Sequence, residues 1–62
     1  TEFDREFLSM TIKHHQTAVD MSDVALKQAQ DPDVKEKVQM MHDMQKEEIS
    51  RMEKMLGEMK KP

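Results

Sequence analysis

The stretch ALKQAQDPDVKEKV, residues 25–38, decides the fold. A proline disfavours helical backbone in the residue before it, yet its own fixed φ suits the first position of a new helix. Asp31, directly before Pro32, is a good N-cap, because its carboxylate accepts from the first free backbone N–H groups. The junction therefore ends one helix and begins another. Outward from it, neither Gly nor Pro interrupts the chain between Phe3 and Ala29 or between Asp33 and Leu56. The reading is one domain over residues 1–62, with a helix over about 3–29, a turn at about 30–31 and a helix over about 32–58. Thr1 caps the first helix, with Asp4 where a capping box wants an acid. Gly57 is a late fraying point, and Lys60 and Lys61 sit near the negative end of the second helix dipole. At ~1.5 Å per residue each helix is roughly 40 Å long. So short a connection makes the two helices antiparallel neighbours.

A chain of 62 residues has a marginal core unless a disulfide, a metal or a second subunit supports it. Cysteine is absent, which excludes a disulfide and a thiolate metal site. Metal or oligomer remains. The net charge is −3 with both signs mixed, unlike the basic patch of a nucleic-acid binder. No apolar run is long enough to span a membrane. Only Phe3 and Phe7 are aromatic, whereas methionine occurs at Met10, Met21, Met40, Met41, Met44, Met52, Met55 and Met59. Methionine is not a common residue of globular domains, so the excess calls for a reason.

Placed at ~100° per residue, the first helix carries two apolar stripes side by side. One holds Phe3, Phe7, Met10, His14, Ala18, Met21 and Ala25; the other holds Leu8, Ile12, His15, Val19 and Leu26. Together they cover close to half the circumference, more than one neighbouring helix can bury. That width predicts an all-α fold in which the antiparallel hairpin pairs with another copy to make a four-helix bundle, as a homodimer or higher homo-oligomer. The second helix has an apolar arc of Val34, Val38, Met41, Ile49, Met52, Leu56 and Met59, edged by Met44 and Met55, with Gln45 and Glu48 inside it. A charged group on a core face is costly unless paired, so these two call for a partner.

For a hairpin closed at Gln30-Asp31, antiparallel positions lie level when their numbers total about 61 or 62. His14 then meets Glu48 and Gln45, Met10 lies level with Met52, Met21 lies level with Met41, and His15 points toward a partner chain. Two readings follow. In one, the layer is a buried hydrogen-bond network in which Glu48 accepts from an imidazole and methionine is flexible core filler. In the other, it is a metal site, since thioether sulfur selects Cu(I) and imidazole suits copper too. Met10 and Met21 are about 16 Å apart along the helix and cannot share one ion. Two sites are therefore candidates: Met10, His14 and Met52 beside the polar layer, and Met21 with Met41 nearer the turn. His42 with Met40, Met41 and Met44 is a weaker local cluster.

Other chemistry is poorly supplied. No acid stands three residues before a histidine, as a di-iron bundle of the Glu-x-x-His type requires. Ser9 and Ser50 fall away from the histidine pair, so no nucleophile is poised and no enzymatic activity is expected.

The stretches FDREFLSMTIKHHQTAVDMSDVAL and DPDVKEKVQMMHDMQKEEISRM add a resemblance. With Phe7, Met10, His14-His15, Ala18 and Met21 on one helix, and Pro32, Gln45, Glu48-Ile49 and Met52 on the other, the chain resembles the secreted, ferritin-like domains of unknown function whose family includes the copper protein CopM. The resemblance covers nearly the whole chain. Thr11 and Lys13 depart from the apolar residue and proline expected there. The resemblance implies a ferritin-like helical bundle, a periplasmic or secreted setting, and Cu(I) or Ag(I) binding through Met and His in some members. The ligand candidates are Met10, His14, His15, Met21, Met41, Glu48 and Met52. Family domains often carry two such hairpins, which implies that this chain is half of one and that a second copy stands in for the rest. The alternative is a structural or protein-interaction bundle with a His/Glu/Gln layer and no metal.

Overall fold

The computed structural model describes residues 1–59, which form two helices and no strand. Helix α1 spans Glu2–Gln28 and helix α2 spans Pro32–Met59. The capping box is present: the Thr1 hydroxyl accepts from the Asp4 N–H, and Asp4 reaches back to the Thr1 backbone. The hydrogen bond to Thr1 holds the Asp4 carboxyl below its ordinary pKa. At the turn, Ala29 is extended (φ −66°, ψ 135°) and donates its N–H to Ala25 at 2.7 Å. Asp31 then caps α2 through Oδ1, which accepts from the N–H of Asp33 at 2.8 Å and of Val34 at 3.4 Å. The junction behaves as Asp-Pro predicts, except that the turn takes three residues, Ala29 to Asp31. Gly57 stays inside the helix rather than fraying it, with ordinary backbone and open space where a Cβ would stand. Lys60 and Lys61 lie outside the described residues.

The helices run antiparallel, as the cross-helix contacts His15–Glu48 and Asp23–His42 require. Among the described residues the buried core is Leu8 and Ile12 alone. Around them Val19, Ala25 and Leu26 of α1 and Val38, Ile49, Met52 and Leu56 of α2 are half-buried. The seam is thus aliphatic, with Met52 its one methionine. Of the two stripes on α1, the Leu8–Ile12–Val19 stripe faces α2. The Phe3–Phe7–Met10–Met21 stripe lies open, with Met21 68 % and Met10 65 % exposed.

Helical phase puts Met41, Met44, Met55 and Met59 of α2 on the same side of the hairpin as that open stripe. All four are exposed. Phe3 and Phe7 stack near its end, with ring centroids 6.1 Å apart. The other side is polar, lined by Gln16, Asp20, Lys46, Ser50 and Glu53. The hairpin therefore has one wet face and one soft, apolar face. Among the described residues, no helix is long and apolar enough to cross a membrane.

Candidate functional site

The histidine pair sits mid-way along α1, and one residue of helical rotation separates its two roles. His15 turns into the seam: Nδ1 lies 3.0 Å from the Thr11 carbonyl and Nε2 lies 2.6 Å from Glu48 Oε2. A carbonyl only accepts, so Nδ1 carries a hydrogen and donates it. The second contact joins Nε2 to the Glu48 carboxyl. Both ring nitrogens are committed, leaving no free lone pair on His15 for a metal. The imidazole is largely covered, while the Glu48 side chain remains 46 % exposed.

This corrects the expected polar layer. His14 does not meet Glu48; it lies exposed on the open face, and His15 takes its place in the seam. The physical reason is helical phase together with the longer turn. The aliphatic stripe, which includes His15, packs on α2 in preference to the methionine stripe. The extra turn residue also moves the pairing beyond the expected register, by one or two positions at His15–Glu48 and by three or four at Asp23–His42.

The remaining candidates divide by face. Met10, His14 and His15 share one open groove with Phe7, Thr11, Ala18 and Gln45. His14 also borders a smaller depression with Thr17, Ala18 and Met21. Met21 and Met41 are both exposed on the methionine side. Met52 is half-buried in the seam, and Glu48 is held by His15. His14 has no hydrogen-bond or ion-pair partner among the described residues, so its imidazole is the one free for coordination. Met10, one turn before it, adds a thioether on the same face. Among the described residues there is no group of three or more His, Cys, Asp and Glu arranged to hold a metal. Met10 and His14 stand one turn apart on the open face and line the same groove.

The sequence reading passed over a second clasp. His42 is only 13 % exposed in its side chain, with Nε2 3.0 Å from Asp23 Oδ1 and Nδ1 3.1 Å from Asp43 Oδ1. Hydrogen bonds from His42 and then from Gln39 hold the Asp43 carboxyl below its ordinary pKa. By helical phase this clasp lies on the polar side of the seam, opposite His15–Glu48. The neighbouring Asp43 and the i,i+4 spacing of Gln39 were the available local signals; Asp23 was legible only with the register.

Compared with known proteins, residues 1–56 match the family described as a domain of unknown function, DUF305. No curated protein and no solved structure matches the chain.

Proposed function

The chain belongs to the DUF305 family, a domain of unknown function, and from that premise and the hairpin's open face we propose that it captures soft monovalent ions, Cu(I) or Ag(I). The observation that carries this is the groove shared by exposed Met10 and unpartnered His14. Thioether and imidazole are the donors a soft ion takes, and neither is spent inside the hairpin. Met21 and Met41, nearer the turn on the same side, form the second candidate site. The proposed role is binding rather than catalysis, since Thr11, Thr17 and Ser22 donate their hydroxyls to their own helix backbone.

A second copy covers this face and completes a ferritin-like four-helix bundle. Two buried side chains are a thin core for a chain of this size. The Cα trace measures 49 × 14 Å across its broad side, on the order of 700 Å² of footprint before side chains are added. That is close to the ~800 Å² each partner contributes to a standard stable interface. The extracytoplasmic setting rests on the resemblance to secreted domains alone.

The reading that competes is a bundle with a purely structural polar contact, favoured by the fact that His15 and Glu48 satisfy each other without a metal. Calorimetric titration with Ag(I) in chloride-free buffer separates the two. The parent is expected to bind Ag(I) in preference to Zn(II), and Met10→Leu and His14→Ala to lose most of that binding. Met10→Leu is the cleaner variant, because it deletes sulfur at nearly constant volume, for a cost below ~1.5 kcal/mol. No Ag(I) binding in the parent, or unchanged binding in Met10→Leu, overturns the proposal.

A further inference from the structure

The eight methionines are not distributed evenly between seam and surface. Seven are exposed and only Met52 reaches into the seam, which is otherwise aliphatic. Met10, Met21, Met41 and Met44, between 54 % and 68 % exposed, stand along the middle and the turn end of the open face. We propose that this face is a methionine-oxidation site, on which a hydroperoxide converts thioethers to sulfoxides and so cancels the pairing of hairpins. The inference rests on the reading of that face as the pairing surface.

The chemistry needs no residue beyond the thioether. A sulfur lone pair attacks the outer peroxide oxygen, the O–O bond breaks and an S–O bond forms. The sulfur is oxidised by two electrons; the peroxide is reduced to water, or to an alcohol when it is organic. The product is polar and chiral where the reactant was apolar and flexible, which disrupts methionine-rich contacts, and dedicated reductases reverse the change. A sulfoxide also loses the soft thioether donor. Pairing and soft-ion capture are therefore withdrawn together. Leu8, Ile12, Val19, Leu26, Val38, Ile49 and Leu56 offer a hydroperoxide nothing to oxidise, so half-buried Met52 is the one thioether in the contact of α1 with α2.

The test treats the whole chain with hydrogen peroxide, maps each methionine by peptide mass, and measures assembly by sedimentation. At a concentration where chains exchange, oxygen is expected to enter Met10, Met21, Met41 and Met44 several-fold faster than Met52. The dimer dissociation constant should rise by at least about tenfold, since sulfoxide formation disrupts methionine-rich interfaces. A variant carrying Met10→Leu, Met21→Leu, Met41→Leu, Met44→Leu, Met55→Leu and Met59→Leu should keep its dimer under peroxide, whereas Met52→Leu alone should dissociate like the parent. Equal oxidation of Met52, or four sulfoxides with unchanged dissociation, overturns the proposal. A parent that is monomeric before any peroxide overturns the pairing reading instead, and the oxidation map then decides the site by itself.

Discussion

His15 Nε2 lies 2.6 Å from Glu48 Oε2, a contact between residues 33 positions apart that ties the middle of α1 to the middle of α2. The histidine beside it in the chain makes no such contact. Two adjacent identical residues thus divide into one that holds the hairpin together and one that faces outward.

Removing Glu48 leaves His15 Nε2 without its acceptor. Hydrogen bonds to charged groups contribute about 1.5–3 kcal/mol, but Glu48 is nearly half exposed and solvent screens the pair, so Glu48→Ala is expected to cost about 1 kcal/mol. His14→Ala, by contrast, should change stability by less than ~0.5 kcal/mol, as for an ordinary surface site. Urea melts of both variants check this, and a His14→Ala loss larger than that of Glu48→Ala would reverse the assignment.

Assembly should be visible in the melt of the parent. If pairing and folding are coupled, the thermal midpoint rises with protein concentration. Phe7→Lys and Met21→Lys, which put charge on the open face, should lower the midpoint and flatten its concentration dependence. A concentration-independent midpoint with monomer mass would show that the hairpin stands alone.

The helix ends give opposite mutational signs. Asp31→Ala removes the cap of α2 and should destabilise by about 1 kcal/mol. Gly57→Ala should stabilise by roughly 0.5–1 kcal/mol, because the glycine sits inside a helix with no neighbour within 4 Å of an added Cβ. Thermal melts at one fixed protein concentration compare the two.

Acid should release the Asp43 contact. Its pKa is lowered in the folded chain, so its contribution is present above the ordinary carboxylate value of 3.8 and is lost as pH falls through the lower folded value. Asp43→Asn should therefore narrow the stability difference between neutral pH and strong acid. Paired melts of parent and variant at the two pH values measure it, and the effect should be small because the Asp43 side chain is 66 % exposed and solvent screens it.

Much of the architecture was legible because Asp31-Pro32 and the absence of other breakers leave few alternatives. The site was read one residue out of phase. Sequence shows two apolar stripes of similar strength on α1, and nothing in their periodicity says which faces α2. Leu8, Ile12 and Val19 form the seam, and Met10 and Met21 remain outside it. The turn length compounded the error. With Ala29 extended, every cross-helix level moves toward the C-terminus of α2, so Met10 no longer lies level with Met52. Asp23 and His42 meet only in the observed register. The candidate ligands are chosen by residue type alone, and which of them share a face is read from the fold.

The hydroxyl groups of α1 carry one more consequence. Thr11 donates to the Phe7 carbonyl at 2.8 Å, Thr17 to Lys13 at 3.1 Å and Ser22 to Ala18 at 2.8 Å, each folding its oxygen back against its own helix. Glu48, the carboxylate nearest the groove, is engaged by His15. Of the side chains lining the Met10–His14 groove, only the Gln45 amide keeps an oxygen without a hydrogen-bond partner among the described residues. A magnesium or calcium ion, which needs six or more oxygens, finds only the Thr11 hydroxyl and the Gln45 amide among the side chains that line it. Discrimination at this surface would come as much from how few side-chain oxygens line it as from the sulfur beside them.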